Sequence, residues 1–333
     1  MLTKKNKNTD SFVIGIDLGG TKVAAALVKQ SGELLYQAKV VLGLQSYSSP
    51  RQKKTRLIEA IREVCWSLWE RQTTDVRKKI KGIGLASAGP LNVDKKILIH
   101  PANFPGFGFF AIVDRLKKEL LNWGFPDVPI AFQNDAMAAA LGEMWLGGAR
   151  DLRTFAVVTV GTGIGTGVII NGQPCQSGGM GSEFGHLFVN ITSCDHFLSV
   201  VPGTVEGIAS GTGIIRRARE EMGITCNSVE DLIHRYPQES KILFETSARA
   251  LGILFYNLSV GLHLQKIFVG GGMSQIHQWF LPQAISWYRR LIRERHHRFE
   301  CPVELAHLGP DAGVLGAAYC AVSLLSGTTD SNS

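Results

Sequence analysis

Apolar and polar positions along this chain follow a pattern that runs through twice. Phe12-Val-Ile-Gly-Ile-Asp17 is an apolar run leading into Leu-Gly19-Gly20-Thr21-Lys22, and Val23 to Val28 resumes as a second strand. Glu33 to Val41 alternates like a third strand, and Leu57 to Arg71 has the spacing of an amphipathic helix. Ile80 to Ala86 reads as a short buried strand closed by the turn residues Ser87-Ala-Gly-Pro90. A helix over Ala111 to Trp123, a strand over Pro129 to Gln133 and an Ala-rich helix over Asp135 to Leu146 follow, stopped by Gly147-Gly148.

A similar order then restarts. Phe155 to Val160 and Gly167 to Ile170 flank the turn Gly161-Thr162-Gly163-Ile-Gly165-Thr, and helices are predicted over Thr204 to Met222 and Lys241 to Leu264. Lys266 to Val269 is a strand entering Gly270-Gly271-Gly272. A long helix over Ile276 to His297, a strand over Val303 to Ala306 and a last helix over Asp311 to Leu325 complete the series. Strands and helices mixed in two similar halves predict two related α/β domains. The small polar tail after Ser326 is expected to fray.

Composition narrows the class. The chain has 333 residues, 45% hydrophobic and 19% charged, enough for two packed cores and unlike a disordered polymer. A net charge of +7 raises the question of nucleic acid. Yet the basic residues are scattered or grouped on helix-like segments such as Arg289 to Arg298, without interleaved aromatics, so a basic enzyme with anionic ligands is favoured. The six cysteines form no CxxC pair, the pattern of a reduced cytoplasmic protein. The N-terminal residues are polar, with Lys4, Lys5 and Lys7, and do not read as a signal peptide. The most apolar later stretch, Ile253 to Met273, is broken by Asn257, His263, Gln265 and Lys266, so no membrane partner is expected.

The two glycine-rich turns carry the chemistry. Glycine lets backbone approach a polyanion and aim several N–H groups at it, and threonine adds a hydroxyl donor. One such turn is commonplace; two, in successive halves, suggest a nucleoside triphosphate held by two lobes. The chain has no GxxxxGK[ST], which excludes a P-loop as the source of nucleotide binding.

Several motifs in order then resemble the ROK family, the sugar kinases and sugar-responsive repressors of the actin-like ATPase superfamily. They are Asp17-Leu-Gly-Gly-Thr-Lys22, Asn103-Phe-Pro-Gly106, Asn134-Asp135, Gly161-Thr-Gly-Ile-Gly-Thr-Gly167, Gly181-Ser-Glu183-Phe-Gly-His186, Glu206-Gly-Ile-Ala-Ser-Gly211 and Gly270-Gly-Gly272. The likeness spans about Phe12 to Val322. It implies two ribonuclease-H-like domains with a cleft that closes over a hexose and ATP. The small N-terminal lobe would comprise 12–133 and about 311–326, the large lobe 134–310, with 1–11 and 327–333 as flexible tails.

Site roles follow from the resemblance. Gly19, Gly20, Thr21 and Lys22 would meet phosphates at one hairpin, Thr162, Gly163 and Gly165 at the other, and Gly271 and Gly272 would lie against the adenosine. Asp17, at the end of a strand, would hold Mg²⁺ through water, or equally serve as a turn residue satisfying local amides. Asp135 follows a strand and precedes an Ala-rich helix. Local sequence favours a helix cap there, whereas the resemblance makes it the base that takes a proton from the sugar hydroxyl, with Asn134 as a sugar ligand. Glu183, His186 and Glu206 would bind hydroxyls on the anomeric side of the sugar. Asn103 is a further sugar candidate, or a turn former before Phe-Pro.

One departure stands out. Most ROK proteins carry a CxCGxxGCxE segment whose three cysteines bind structural zinc together with a histidine. Aligned on Glu206, the corresponding residues are Phe197, Ser199 and Thr204, and Cys194 and His196 lie at the wrong spacing, so no zinc is expected. The leading function is an ATP-dependent glucokinase-type hexokinase making glucose 6-phosphate. An N-acetylmannosamine or N-acetylglucosamine kinase is the alternative, and a non-catalytic sugar sensor ranks below both. The segment before Phe12 is too short for the helix-turn-helix of the family's repressors. Family members are often dimers; a homodimer stays open, with no interface legible.

Overall fold

The computed structural model describes residues 11–190 and 201–327, so Phe197, Ser199, Cys194 and His196 lie outside the described residues. In chain order the first elements are β1 (Phe12–Leu18), β2 (Lys22–Lys29), β3 (Leu34–Val41), α1 (Pro50–Glu70), α2 (Thr74–Lys78) and β4 (Ile80–Ser87). Three short strands, β5 (Leu91–Asn92), β6 (Ile97–Ile99) and β7 (Phe109–Phe110), precede α3 (Ile112–Asn122), β8 (Ile130–Asn134) and α4 (Asp135–Trp145). Next come β9 (Phe155–Val160), β10 (Ile164–Ile170), β11 (Gln173–Pro174), α5 (Val205–Ala209), α6 (Gly211–Met222), α7 (Val229–Arg235) and α8 (Pro237–Leu262). The chain ends through β12 (Lys266–Gly270), α9 (Leu281–Arg295), β13 (Val303–Leu305) and α10 (Ala312–Leu325).

Among the described residues these elements form two compact units, 11–145, 178–180 and 311–327 in one and 146–177, 181–190 and 201–310 in the other. Each unit is built on a five-stranded sheet, in the orders β3-β2-β1-β4-β8 and β11-β10-β9-β12-β13. In both sheets the hairpin partner, β2 or β10, is the one antiparallel strand, and the later strands run parallel to β1 or β9. The repetition seen in the apolar pattern is thus a repetition of topology.

In the first unit the two faces of the sheet differ in side-chain size, and β1 shows why. Its even-numbered residues Phe12, Ile14, Ile16 and Leu18 share an apolar core with Leu57, Ile61 and Leu68 of α1 and Leu116 of α3. Each such side chain contributes about 1.5–3 kcal/mol on burial. On the other face Gly15 and Gly84 admit α10 so closely that a Cβ at either would strike its backbone at Val314 or Ala317. Gly316 of α10 lies against the Ala138 backbone of α4 in the same way. This small-residue seam, with Ala86, Ala138 and Ala317 fully buried, assigns α4 to the first unit. The boundary therefore falls after Trp145 and not at 133, and the two units are nearly equal in length instead of small and large.

Several helix limits also depart from the apolar pattern. α1 starts seven residues earlier than its apolar stripe, at Pro50, where Ser49 and Gln52 cap each other reciprocally. The helix predicted over 204–222 is two, because Ser210 leaves helical geometry and caps α6 by accepting a hydrogen bond from the Gly213 amide at 3.0 Å. The helix predicted from Ile276 begins at Leu281, Pro282 occupying its first turn. In the second unit β9, β10 and β12 pack on α8 and α9 around Val158, Val168, Ile267, Leu254, Phe255 and Tyr288. No helix among the described residues is long and apolar enough to cross a membrane.

Candidate active site

Each unit gathers its own share of the candidate residues around its hairpin. In the first unit the turn after β1 is closed by the Gly19 amide donating to the Lys22 carbonyl at 3.1 Å. Gly20 lies against the exposed Asn103, whose Cγ would be 3.2 Å from a Cβ built at that glycine. The Asn103 loop is anchored beneath by Phe104 and Phe107, both buried, with ring centroids 5.3 Å apart. A phosphate candidate and a sugar candidate are therefore neighbours.

Asn134 is the last residue of β8 and Asp135 the first of α4. The Asn134 side chain accepts from the Ala136 and Met137 amides at 3.0 and 3.1 Å, so the helix cap is the asparagine. Asp135 accepts from Ala136 at 2.8 Å through Oδ1. Burial pushes its carboxyl above the usual range, and the Ala136 amide and its own amide only partly oppose this. Asp17 is pushed up to about 6, first by burial and then by the charge of Asp135, with Lys22 pulling the other way. Its carboxylate rests beside the first turn of α10, where a Cβ on Gly313 would stand 2.7 Å from Oδ2. Gly313 is a residue that sequence reasoning missed. A glycine so early in the last helix was its available signal.

In the second unit the β9–β10 turn is closed by the Gly161 amide donating to the Gly163 carbonyl at 3.0 Å. Thr162 is exposed at its tip, while Gly165 lies within β10 opposite Thr159. Gly271 adopts φ 85°, and a Cβ there would stand 2.6 Å from the Val160 carbonyl oxygen, so only glycine fits this turn beside β9. The loop carrying Glu183 and His186 is pinned to β10 by Thr166, whose hydroxyl donates to the Ser182 carbonyl and accepts from the Phe184 amide at 3.0 Å. Thr166 was also missed. His186 stands between two carboxylates, Nε2 3.9 Å from Glu183 and Nδ1 4.0 Å from Glu206. Thr204 caps α5 by accepting from the Gly207 amide at 2.9 Å.

Residues 13–323 match the ROK family along nearly the whole chain. The chain belongs to the ROK family. This ROK protein is 28% identical over 314 residues to an N-acetylmannosamine kinase of Haemophilus influenzae, covering 92% of this chain and 94% of that one. It is 27% identical over 339 residues to a glucokinase of Halalkalibacterium halodurans, covering 93% and 95%. A ROK hexokinase from Thermus thermophilus superposes with a TM-score of 0.75 at 27% identity, covering 95% of this chain and 99% of that structure. The ROK fold is the ribonuclease-H-like sheet of the actin-like ATPases, used twice.

Among the described residues of the ROK protein no three His, Cys, Asp or Glu side chains form a metal cage. Asp17 and Asp135 lie close enough that the charge of Asp135 adds to the upward shift of Asp17. Their titration gives a test without nucleotide or metal. Asp17 has a folded pKa of about 6 against 3.8 for the free side chain, so the folded state holds the proton more tightly. Its contribution is fully present below pH 4 and lost as pH rises through 6. The Asp17→Asn variant is expected to gain stability relative to the parent over that window. Thermal melts at pH 4 and pH 7 check this; an unchanged difference would remove the raised carboxyl.

Proposed function

We propose that this ROK protein is a sugar kinase that transfers the γ-phosphoryl group of ATP to the 6-hydroxyl of a hexose, with glucose as the leading substrate. The observation that carries the reading is the carboxyl of Asp135, at the C-terminal end of β8 and held above its ordinary range beside Asp17. A sugar hydroxyl is a poor nucleophile, and a carboxylate with raised proton affinity is suited to take its proton as the new O–P bond forms. The bond from phosphorus to the ADP oxygen breaks, and the hydroxyl proton ends on Asp135.

The other roles follow the same reading. Asn103 and Asn134 would orient the hexose in the first unit, and Glu183, His186 and Glu206 would bind sugar hydroxyls in the second. The amides and hydroxyls at Gly20, Thr21, Thr162 and Gly163 would take phosphate oxygens, with Gly19 closing the first turn through its own amide and Lys22 adding charge. Gly271 and Gly272 would adjoin the adenosine. Asp17 is the residue that would hold Mg²⁺ through water; the ion, when bound, supplies charge neutralisation for the phosphates.

An N-acetylmannosamine kinase is the second reading, supported by the Haemophilus relative, which matches as well as the glucokinase does. The deciding experiment measures ADP release with ATP and Mg²⁺ across glucose, mannose, fructose, N-acetylmannosamine and N-acetylglucosamine. Glucose is expected to give the highest kcat/KM. A preference for an N-acetyl sugar would transfer the reading to amino-sugar catabolism, and absence of turnover with every sugar would overturn it in favour of a sensor.

A further inference from the structure

Three contacts converge on Glu206, the second residue of α5, whose side chain is 17% exposed. One carboxylate oxygen, Oε2, accepts a hydrogen bond from the Ile164 amide at 2.8 Å, at the foot of the β9–β10 turn. The same oxygen fills the space over Gly163, where a Cβ would stand 2.5 Å from it. The other oxygen, Oε1, lies 4.0 Å from His186. The start of α6 grips the turn from the same side, with the Gly211 amide donating to Gly161 at 2.8 Å and the Thr212 amide to Thr162 at 3.3 Å.

We propose that Glu206 is a positioning residue for the nucleotide hairpin, holding its backbone in the phosphate-accepting shape through Ile164, and not a sugar ligand alone. A residue that merely touched sugar would have no need of the Ile164 amide, and Gly163 would have no need to be bare on the Glu206 side. With the Gly161 amide engaged by Gly163 and the Ile164 amide engaged by Glu206, the amides of Thr162 and Gly163 are the phosphate donors of the tip. His186, on the other oxygen, places the sugar side of the site one residue away from the hairpin. The proposal rests on the sugar-kinase reading only for the identity of the ligand.

The test uses the full chain without sugar and measures ADP affinity by calorimetry together with amide hydrogen exchange over residues 161–165. Glu206→Ala is expected to weaken ADP binding by about tenfold or more and to speed exchange, since a charge-assisted hydrogen bond is lost. Glu206→Gln, whose amide oxygen can still accept from Ile164, should bind ADP within about twofold of the parent. A Cβ at Gly163 would displace the carboxylate, and that glycine lies outside the left-handed region, so Gly163→Ala should weaken ADP binding in the parent. Combined with Glu206→Ala it should add nothing. Additive effects, or unchanged affinity and exchange in Glu206→Ala, would overturn the proposal. If the parent itself bound no ADP, the kinase reading would fall, while the exchange measurement would still decide the role of Glu206.

Discussion

Replacing Asp135 with Asn is expected to lower kcat by about 10²–10⁴-fold, the usual contribution of a positioned general base. The substitution is close to isosteric. An asparagine oxygen can still accept from the Ala136 amide, 2.8 Å from Oδ1, and the α4 cap belongs to Asn134, so the helix start should survive. What is removed is the proton acceptor and a negative charge. Sugar affinity, measured by calorimetry, should change only a few-fold, which separates loss of chemistry from loss of binding. A second readout follows from the neighbouring acid. Asp135 raises the pKa of Asp17, so Asp17 in the variant should titrate below its parental value of about 6. Unchanged kcat would take Asp135 out of the mechanism.

The largest effect on stability is expected at a position far from any chemistry. Gly84→Ala places a Cβ on the carbonyl of Ala317, where neither the strand nor the helix can yield cheaply. Overpacking of this kind costs about 1–3 kcal/mol when side chains can move, and more where two backbones meet. A loss of about 3 kcal/mol or more is therefore expected, seen as a lower urea midpoint. Gly261→Ala is the comparison, since a Cβ there meets nothing within 4 Å and the residue lies in α8. It should be neutral or stabilising by up to about 1 kcal/mol. Similar midpoints for the two variants would mean that α10 does not seat on β4 as described.

The glycine turns were legible because their signal is local: an apolar run, a cluster of small residues, then another apolar run. As turns, Leu18 to Lys22, Gly161 to Gly165 and Gly270 to Gly272 needed nothing beyond that, whereas the roles assigned to them came from the family resemblance. Long-range contacts were not legible. Gly15 and Gly84 read as ordinary strand glycines, because the helix that requires them lies over two hundred residues later in the chain. Gly313 carried a faint local signal, a glycine early in a helix, but its reason, the Asp17 carboxylate beside it, was a long-range contact. The Asp135 ambiguity had the same origin, since neighbouring Asn and Asp compete for one cap and the amide partners decide between them. Ser49, with Pro50 and Gln52, carries a local helix-start signal that apolar spacing does not report.

The dependence of β1 and β4 on α10 sets an order of events during synthesis. The hairpin of the first unit leaves the ribosome early, yet the face of its sheet bearing Gly15 and Gly84 stays uncovered until residues 312–325 have been made. The second unit needs only residues that precede them, 146–177 and 181–310. Domains ordinarily fold from the N-terminus onward as they emerge. Here the unit translated earlier is the one finished later, and a nascent chain stalled before residue 312 should hold a protease-resistant second unit and a digestible first one.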